Sequence, residues 1–228
     1  GGLPRETLHL DNVSFSYPGS MRKVLDDIDL TLRAGECTAI VGINGAGKTT
    51  LVKLLARLYE PTSGTVRVDD RDVRDYDVDA WRRQIGVIFQ DFTRYELSVA
   101  DNIAFGAVER PVDRVAVRAA AARAGILDVI EALPRGLDTV LARHHTDGAD
   151  LSGGQWQRVA IARALYAVDA GARVLVLDEP TAALDVRAEA EFFDRFVELT
   201  RGVTTVLISH RFSSVRRADR IVVLEHGR

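Results

Sequence analysis

Residues 42–49 read GINGAGKT, three glycines followed by a lysine and a threonine in the spacing G-x-x-x-x-G-K-[ST]. Glycines let backbone N–H groups curl around phosphate oxygens, and a helix starting at the lysine adds partial positive charge. Lys48 supplies a point charge to outer phosphates, and the Thr49 hydroxyl can ligate Mg²⁺. Asn44, Gly45, Ala46, Gly47, Lys48, Thr49 and Thr50 are therefore the candidate nucleotide loop. Residues 174–179, VLVLDE, end an apolar run on two carboxylates. Asp178 is placed to hold Mg²⁺ and Glu179 to act as the general base that polarises an attacking water. Gln90 and His210 also end apolar runs, which sets them along the same sheet edge.

A second glycine turn, LSGGQ at 151–155, opens the helical spacing of WQRVAIARAL. Ser152 stands at an N-cap position, so Gly153, Gly154 and Gln155 form another helix N-terminus with exposed backbone donors. Tyr17 precedes Gly42 by 25 residues. It reads equally as an aromatic stacked on a base and as a tyrosine of the core.

The elements that must carry these residues follow from periodicity. Residues 7–16 and 27–33 alternate apolar and polar, as half-exposed antiparallel strands do. CTAIV at 37–41 is apolar throughout and reads as a strand buried on both faces; a helix over 48–58 follows the glycine loop. Turn chemistry at 61–64 leads into a strand, and 85–91 is a short apolar strand. From about 92 to 167 the chain becomes alanine-rich, with helices expected near 98–105, 113–124, 126–133 and 153–167. Strands return at 174–179, 204–210 and 221–227, with a helix over about 186–200. Apolar strands alternating with helices imply an α/β fold with a mainly parallel sheet covered on both faces.

Composition narrows the function classes. The chain has 228 residues, 46% of them hydrophobic, enough for a substantial core. Its formal net charge of −3 supplies no basic field, so a nucleic-acid partner is not expected. Lysine occupies only positions 23, 48 and 53 among 30 basic residues, a skew that makes Lys48 in the loop more telling. The single cysteine, Cys37, reads as a small buried residue, which fits a reducing compartment. No stretch reaches the roughly 18 apolar residues of a membrane span.

GINGAGKTT, LSGGQ, VLVLDEPTAALD and a strand-end histidine, in that order, resemble the ATP-binding cassette of ABC transporters. The likeness covers nearly the whole chain, and LSGGQ just upstream of a strand ending in Asp-Glu is highly specific. It implies a P-loop core with an antiparallel β subdomain (1–90 and 168–228) and a helical subdomain over 91–167. It also implies roles: Tyr17 stacking on adenine, Val24 beside the ribose, Gln90 meeting Mg²⁺ and the attacking water, and His210 contacting the γ-phosphate and positioning Glu179. Asp185 would cross the nucleotide interface. ATP and Mg²⁺ are the implied cofactors.

The stretch from Leu58 to Ile103 looks most like the cassettes of bacterial exporters, in which membrane helices precede the cassette on one chain. The domain would then work at the cytoplasmic face of the cell membrane. Such cassettes pair head to tail, so that Ser152, Gly153, Gly154, Gln155 and Asp185 of one chain close on the nucleotide held by the other, in a homodimer or a heterodimer. The initial Gly-Gly and the end at EHGR suggest an excised domain. One departure is His144–His145, where related cassettes carry an acid that contacts the membrane domain; a solvated loop or a pH-sensitive contact both fit. An importer subunit and a soluble ATP-gated clamp are the competing readings. Upstream membrane helices would exclude the first, and the short helical block without a basic face speaks against the second.

Overall fold

The computed structural model describes residues 3–88, 94–142, 147–178, 186–209 and 215–228, with Val186 and residues 188–190 described by backbone alone. Two sheets form. β1 (Thr7–Phe15) pairs antiparallel with β2 (Leu25–Arg33). β3 (Cys37–Val41) enters the parallel sheet, and β4 (Ser63–Val68) and β5 (Arg71–Asp72) complete the antiparallel one in the order β2-β1-β4-β5. The parallel sheet adds β6 (Ile85–Ile88), β7 (Val174–Asp178), β8 (Thr204–Ser209) and β9 (Arg220–Val223), in the order β6-β7-β8-β3-β9.

Burial follows the pattern in the residues. β7 and β8 are buried at every position, as a strand covered on both faces requires. Val174, Val176, Val206 and Ile208 face one layer, made of the antiparallel sheet and helix α1 (Lys48–Leu55). Leu175, Leu177 and Leu207 face the other, packed by α3 (Val99–Ala104), α4 (Arg114–Ala124), α6 (Gly153–Asp169) and α7 (Val186–Leu199). α2 (Val78–Arg82) precedes β6, and α5 (Leu127–Glu131) lies between α4 and α6. The block of helices thus shares one core with the parallel sheet.

Four departures from the expected elements have local causes. β2 starts at Leu25 rather than 27 because Asp27 is bulged, with φ 57°; Asn12 opposite has φ 49° and donates to Asp27 at 3.0 Å. The register shift breaks the simple alternation. α1 stops at Leu55 because Arg57 turns left-handed and the Leu58 amide donates back to Lys53, a cap built without glycine. α2 was not expected; it is capped by Asp77 and buries Trp81, whose indole donates to the Leu55 carbonyl at 2.8 Å. β9 pairs only through Val223, since residues 225–228 form a turn closed by reciprocal Glu225–Arg228 backbone bonds.

Candidate functional site

The glycine loop leaves the carboxyl end of β3 and opens α1. A Cβ on Gly42 would lie 2.3 Å from the Leu224 carbonyl, so only glycine fits there. Gly47, with φ 105°, is the N-cap of α1, and no side chain caps that helix. The amides of its first turn therefore face the cleft without an intrahelical acceptor, the arrangement that binds anions. Lys48 is buried, and its ammonium donates to the carbonyls of Gly42 at 2.6 Å and Ile43 at 3.0 Å.

β7 lies two strands from β3 and ends on Asp178 at the same sheet edge. The Thr49 hydroxyl donates to the Asp178 carboxylate at 3.1 Å. One hydroxyl and one carboxylate, both hard oxygen donors, suit Mg²⁺, which takes one or two protein oxygens and completes its shell with phosphate and water. A cleft of about 370 Å³ is lined by Val24, Asn44, Gly45, Gly47, Lys48, Thr49, Thr50 and Asp178. The parallel sheet and the loop thereby bring Lys48, Thr49 and Asp178 of the expected ligands together, and Val24 reaches the same cleft.

Tyr17 stands beside that cleft rather than in its lining. Its hydroxyl bonds Thr50 Oγ1 at 3.0 Å and accepts from Lys53 Nζ at 3.3 Å, while its ring meets Phe15 and Tyr59 edge-on. Ser152, Gly153 and Gly154 are exposed at the start of α6 and are not part of the cleft. Ser152 accepts from the Gln155 amide and Gln155 Oε1 accepts from the Ser152 amide, a capping box. The serine oxygen is engaged as an acceptor, and its O–H remains available to donate. Gln90, Glu179, Asp185, His210, His144 and His145 lie outside the described residues.

Two supports escaped the sequence reading. The 224–228 turn floors the loop: the Leu224 amide donates to Val41, and the Gly227 amide to Ala46. Trp156, directly after LSGGQ, is buried, donates to Asp150 at 3.4 Å and lies under the Arg94 guanidinium. A left-handed His226-Gly227 pair was the only signal for the first, and an aromatic inside a helix start for the second. Cys37 is buried as expected, its thiol pushed up to about 12 by burial and by the nearby Asp219. Among the described residues the one His/Cys/Asp/Glu group compact enough to share an ion, His9, Asp11 and Asp29, sits on the antiparallel sheet with Asp11 paired to Arg67. It is separate from the cleft.

Comparison with known proteins gives the family. The family model described as ABC transporter matches residues 25–182. The chain is 45% identical over 224 residues to an ATP-dependent lipid A-core flippase of Alkalilimnicola ehrlichii, covering 98% of this chain and 37% of that protein. It is 44% identical to the flippase of the same name from Ralstonia nicotianae, with the same coverage. Among solved structures, a bacterial Atm1-family ABC exporter with ATP bound superposes with a TM-score of 0.84 at 37% identity, over 98% of this chain and 38% of that one. The chain therefore spans little more than a third of the proteins it matches.

Proposed function

The chain belongs to the ABC transporter family, and from that premise we propose that it is the nucleotide-binding domain of a bacterial exporter. It binds MgATP, pairs head to tail with a second such domain, and hydrolyses ATP to drive membrane helices outside this chain. The observation that carries this reading is the 3.1 Å bond between Thr49 on the phosphate loop and Asp178 at the end of β7, two strands away. A glycine cradle alone binds an anion; a cradle with a carboxylate beside its threonine also prepares a cation site, which phosphoryl transfer needs.

The residues act in sequence. The amides of Gly45 to Thr50 and the first turn of α1 take the phosphates, and Lys48 exchanges its two carbonyl partners for phosphate oxygens. Thr49, Asp178 and Gln90 would hold Mg²⁺, which when bound would supply positive charge against the developing charge of the phosphates. Glu179 accepts the proton of the attacking water, and His210 orients Glu179 and the γ-phosphate. Tyr17 and Val24 receive the base and ribose, with the Tyr17 hydroxyl held by Thr50 and Lys53 so that its ring position is fixed.

The site is completed in trans. Ser152, Gly153, Gly154, Gln155 and Asp185 of the second chain close on the outer phosphate. Among the described residues no helix is long and apolar enough to cross a membrane. In the proposed reading, membrane helices outside this chain hold it at the cytoplasmic face of the membrane. In this reading specificity belongs to those helices, and the chain's comparable identity to a lipid A-core flippase (45%) and to an Atm1-family exporter (37%) supports it. Replacing Glu179 by Gln should abolish hydrolysis and accumulate an ATP-bound dimer, read by light scattering with and without MgATP. Hydrolysis at the parent rate would remove the mechanism.

A further inference from the structure

Helix α4 ends where two other helices meet it. Gly125 caps it in the left-handed region at φ 73°, which leaves its last carbonyls pointing outward. Arg195, on α7, donates from Nη2 to the Arg123 carbonyl at 2.8 Å. Arg158, on α6, donates from Nη1 to the Gly125 carbonyl at 3.3 Å. Both guanidinium groups also sit at the negative end of the α4 dipole.

Arg195 is the more closely fitted of the two. A Cβ on Gly125 would lie 2.7 Å from Arg195 Nη2, 3.1 Å from Cζ and 3.2 Å from Nη1. The guanidinium therefore lies flat against the glycine, and Gly125 serves both the left-handed turn and the arginine.

The three helices have different attachments. α7 begins at Val186, directly after the segment that carries Glu179 and Asp185. α6 begins at the Ser152 turn. α4 buries Val117, Ala120, Ala121 and Ala124 in the core it shares with α6, where small side chains let the two helices approach closely. Arg195 thus ties the helix leaving the catalytic segment to the block that presents Ser152.

We propose that Arg195 is a positioning residue that sets the stance of the Ser152 turn relative to α7, and so governs the ATP-driven pairing of two such chains. It does not touch nucleotide. This rests on the function proposed above. Arg195 is exposed, and an exposed arginine–carbonyl bond contributes little to global stability, so its loss is felt in geometry before it is felt in folding.

The test uses the 228-residue chain with Glu179→Gln as parent, and measures ATP affinity of the monomer by fluorescent-nucleotide titration and MgATP-dependent dimerisation by light scattering. Arg195→Ala should weaken dimerisation about tenfold while leaving monomer affinity within about twofold, the expected effect of losing one charge-assisted bond made only across these helices. In the chain with Glu179 restored, kcat should fall with KM for ATP unchanged. Arg195→Lys, which keeps one donor, should recover most of the loss, and Gly125→Ala, which displaces the guanidinium, should reproduce it.

Dimerisation of Arg195→Ala equal to the parent overturns the proposal, as does a matching loss of nucleotide affinity or a lysine variant no better than alanine. A parent that binds ATP but never dimerises overturns the proposed function, and this inference with it. A parent that dimerises alongside an indifferent Arg195→Ala overturns this inference alone.

Discussion

Lys48 illustrates what one residue can be asked to do. It is buried, and its ammonium rests on two carbonyls of its own loop. Replacing it with Ala should weaken ATP binding by about 2 kcal/mol, or some thirtyfold, as removal of a charged hydrogen-bond donor does; fluorescent-nucleotide titration measures it. Asp69 makes a different case. Its carboxylate takes the amides of Arg5, Glu6 and Thr7 at 2.7, 2.8 and 3.1 Å. Burial pushes its pKa up, but the three amides together outweigh burial and hold it below the ordinary carboxylate value.

A depressed folded pKa contributes stability that is present above the unfolded pKa and lost as pH falls through the folded one. Asp69→Asn should therefore melt about 2–4 °C below the parent at pH 7, on the order of 1 kcal/mol after allowance for exposure, with the gap closing below about pH 4. Thermal melts across pH 3 to 7 decide it. At this scale Lys48, Thr49 and Asp178 were legible because their spacing encodes chemistry directly. The Tyr17 hydroxyl partners were not, since Thr50 and Lys53 reach it only through the fold.

Elements were legible where one period ran unbroken. β3, β7 and β8 carry continuous apolar runs and stand where the pattern placed them, and so do the long helices α4 and α6. Ends and bulges were not legible: Asn12 and Asp27 turn left-handed inside otherwise alternating strands, and Arg57 does so with a side chain that announces no turn. Glycines can be sorted by the same geometry. Gly42→Ala meets the Leu224 carbonyl at 2.3 Å, whereas a Cβ on Gly45 enters open space and meets only the strain of φ 81°. Gly42→Ala should lower the melting temperature more than Gly45→Ala, which should cost about 1–2 kcal/mol. Equal shifts in nucleotide-free melts would mean that the loop is not pressed against the 224–228 turn.

For the whole molecule, the two glycine turns sit on different bodies of one fold: the first at the edge of the parallel sheet, the second at the exposed start of α6. Ser152 keeps an O–H to donate, and a Cβ at Gly153 or Gly154 would meet nothing within 4 Å, which is compatible with the head-to-tail pairing proposed above. Ser152→Arg should leave monomer affinity for ATP nearly unchanged and abolish ATP-dependent dimerisation, measured by the same titration and by light scattering. Equal loss of both would argue that the turn acts within its own chain. The order of motifs made the layered architecture readable; the partner geometry is an expectation from resemblance alone, because no residue spacing encodes contacts between chains.

The floor under the phosphate loop has a consequence for how the molecule is made. Leu224 and Gly227 close against Val41, Gly42 and Ala46, and β3 is sandwiched between β8 and β9. Residue 224 leaves a ribosome 182 residues after residue 42 (224 − 42). The nascent loop thus waits without this floor while the residues between them are made, and the floor can close only once residues 224–227 have emerged.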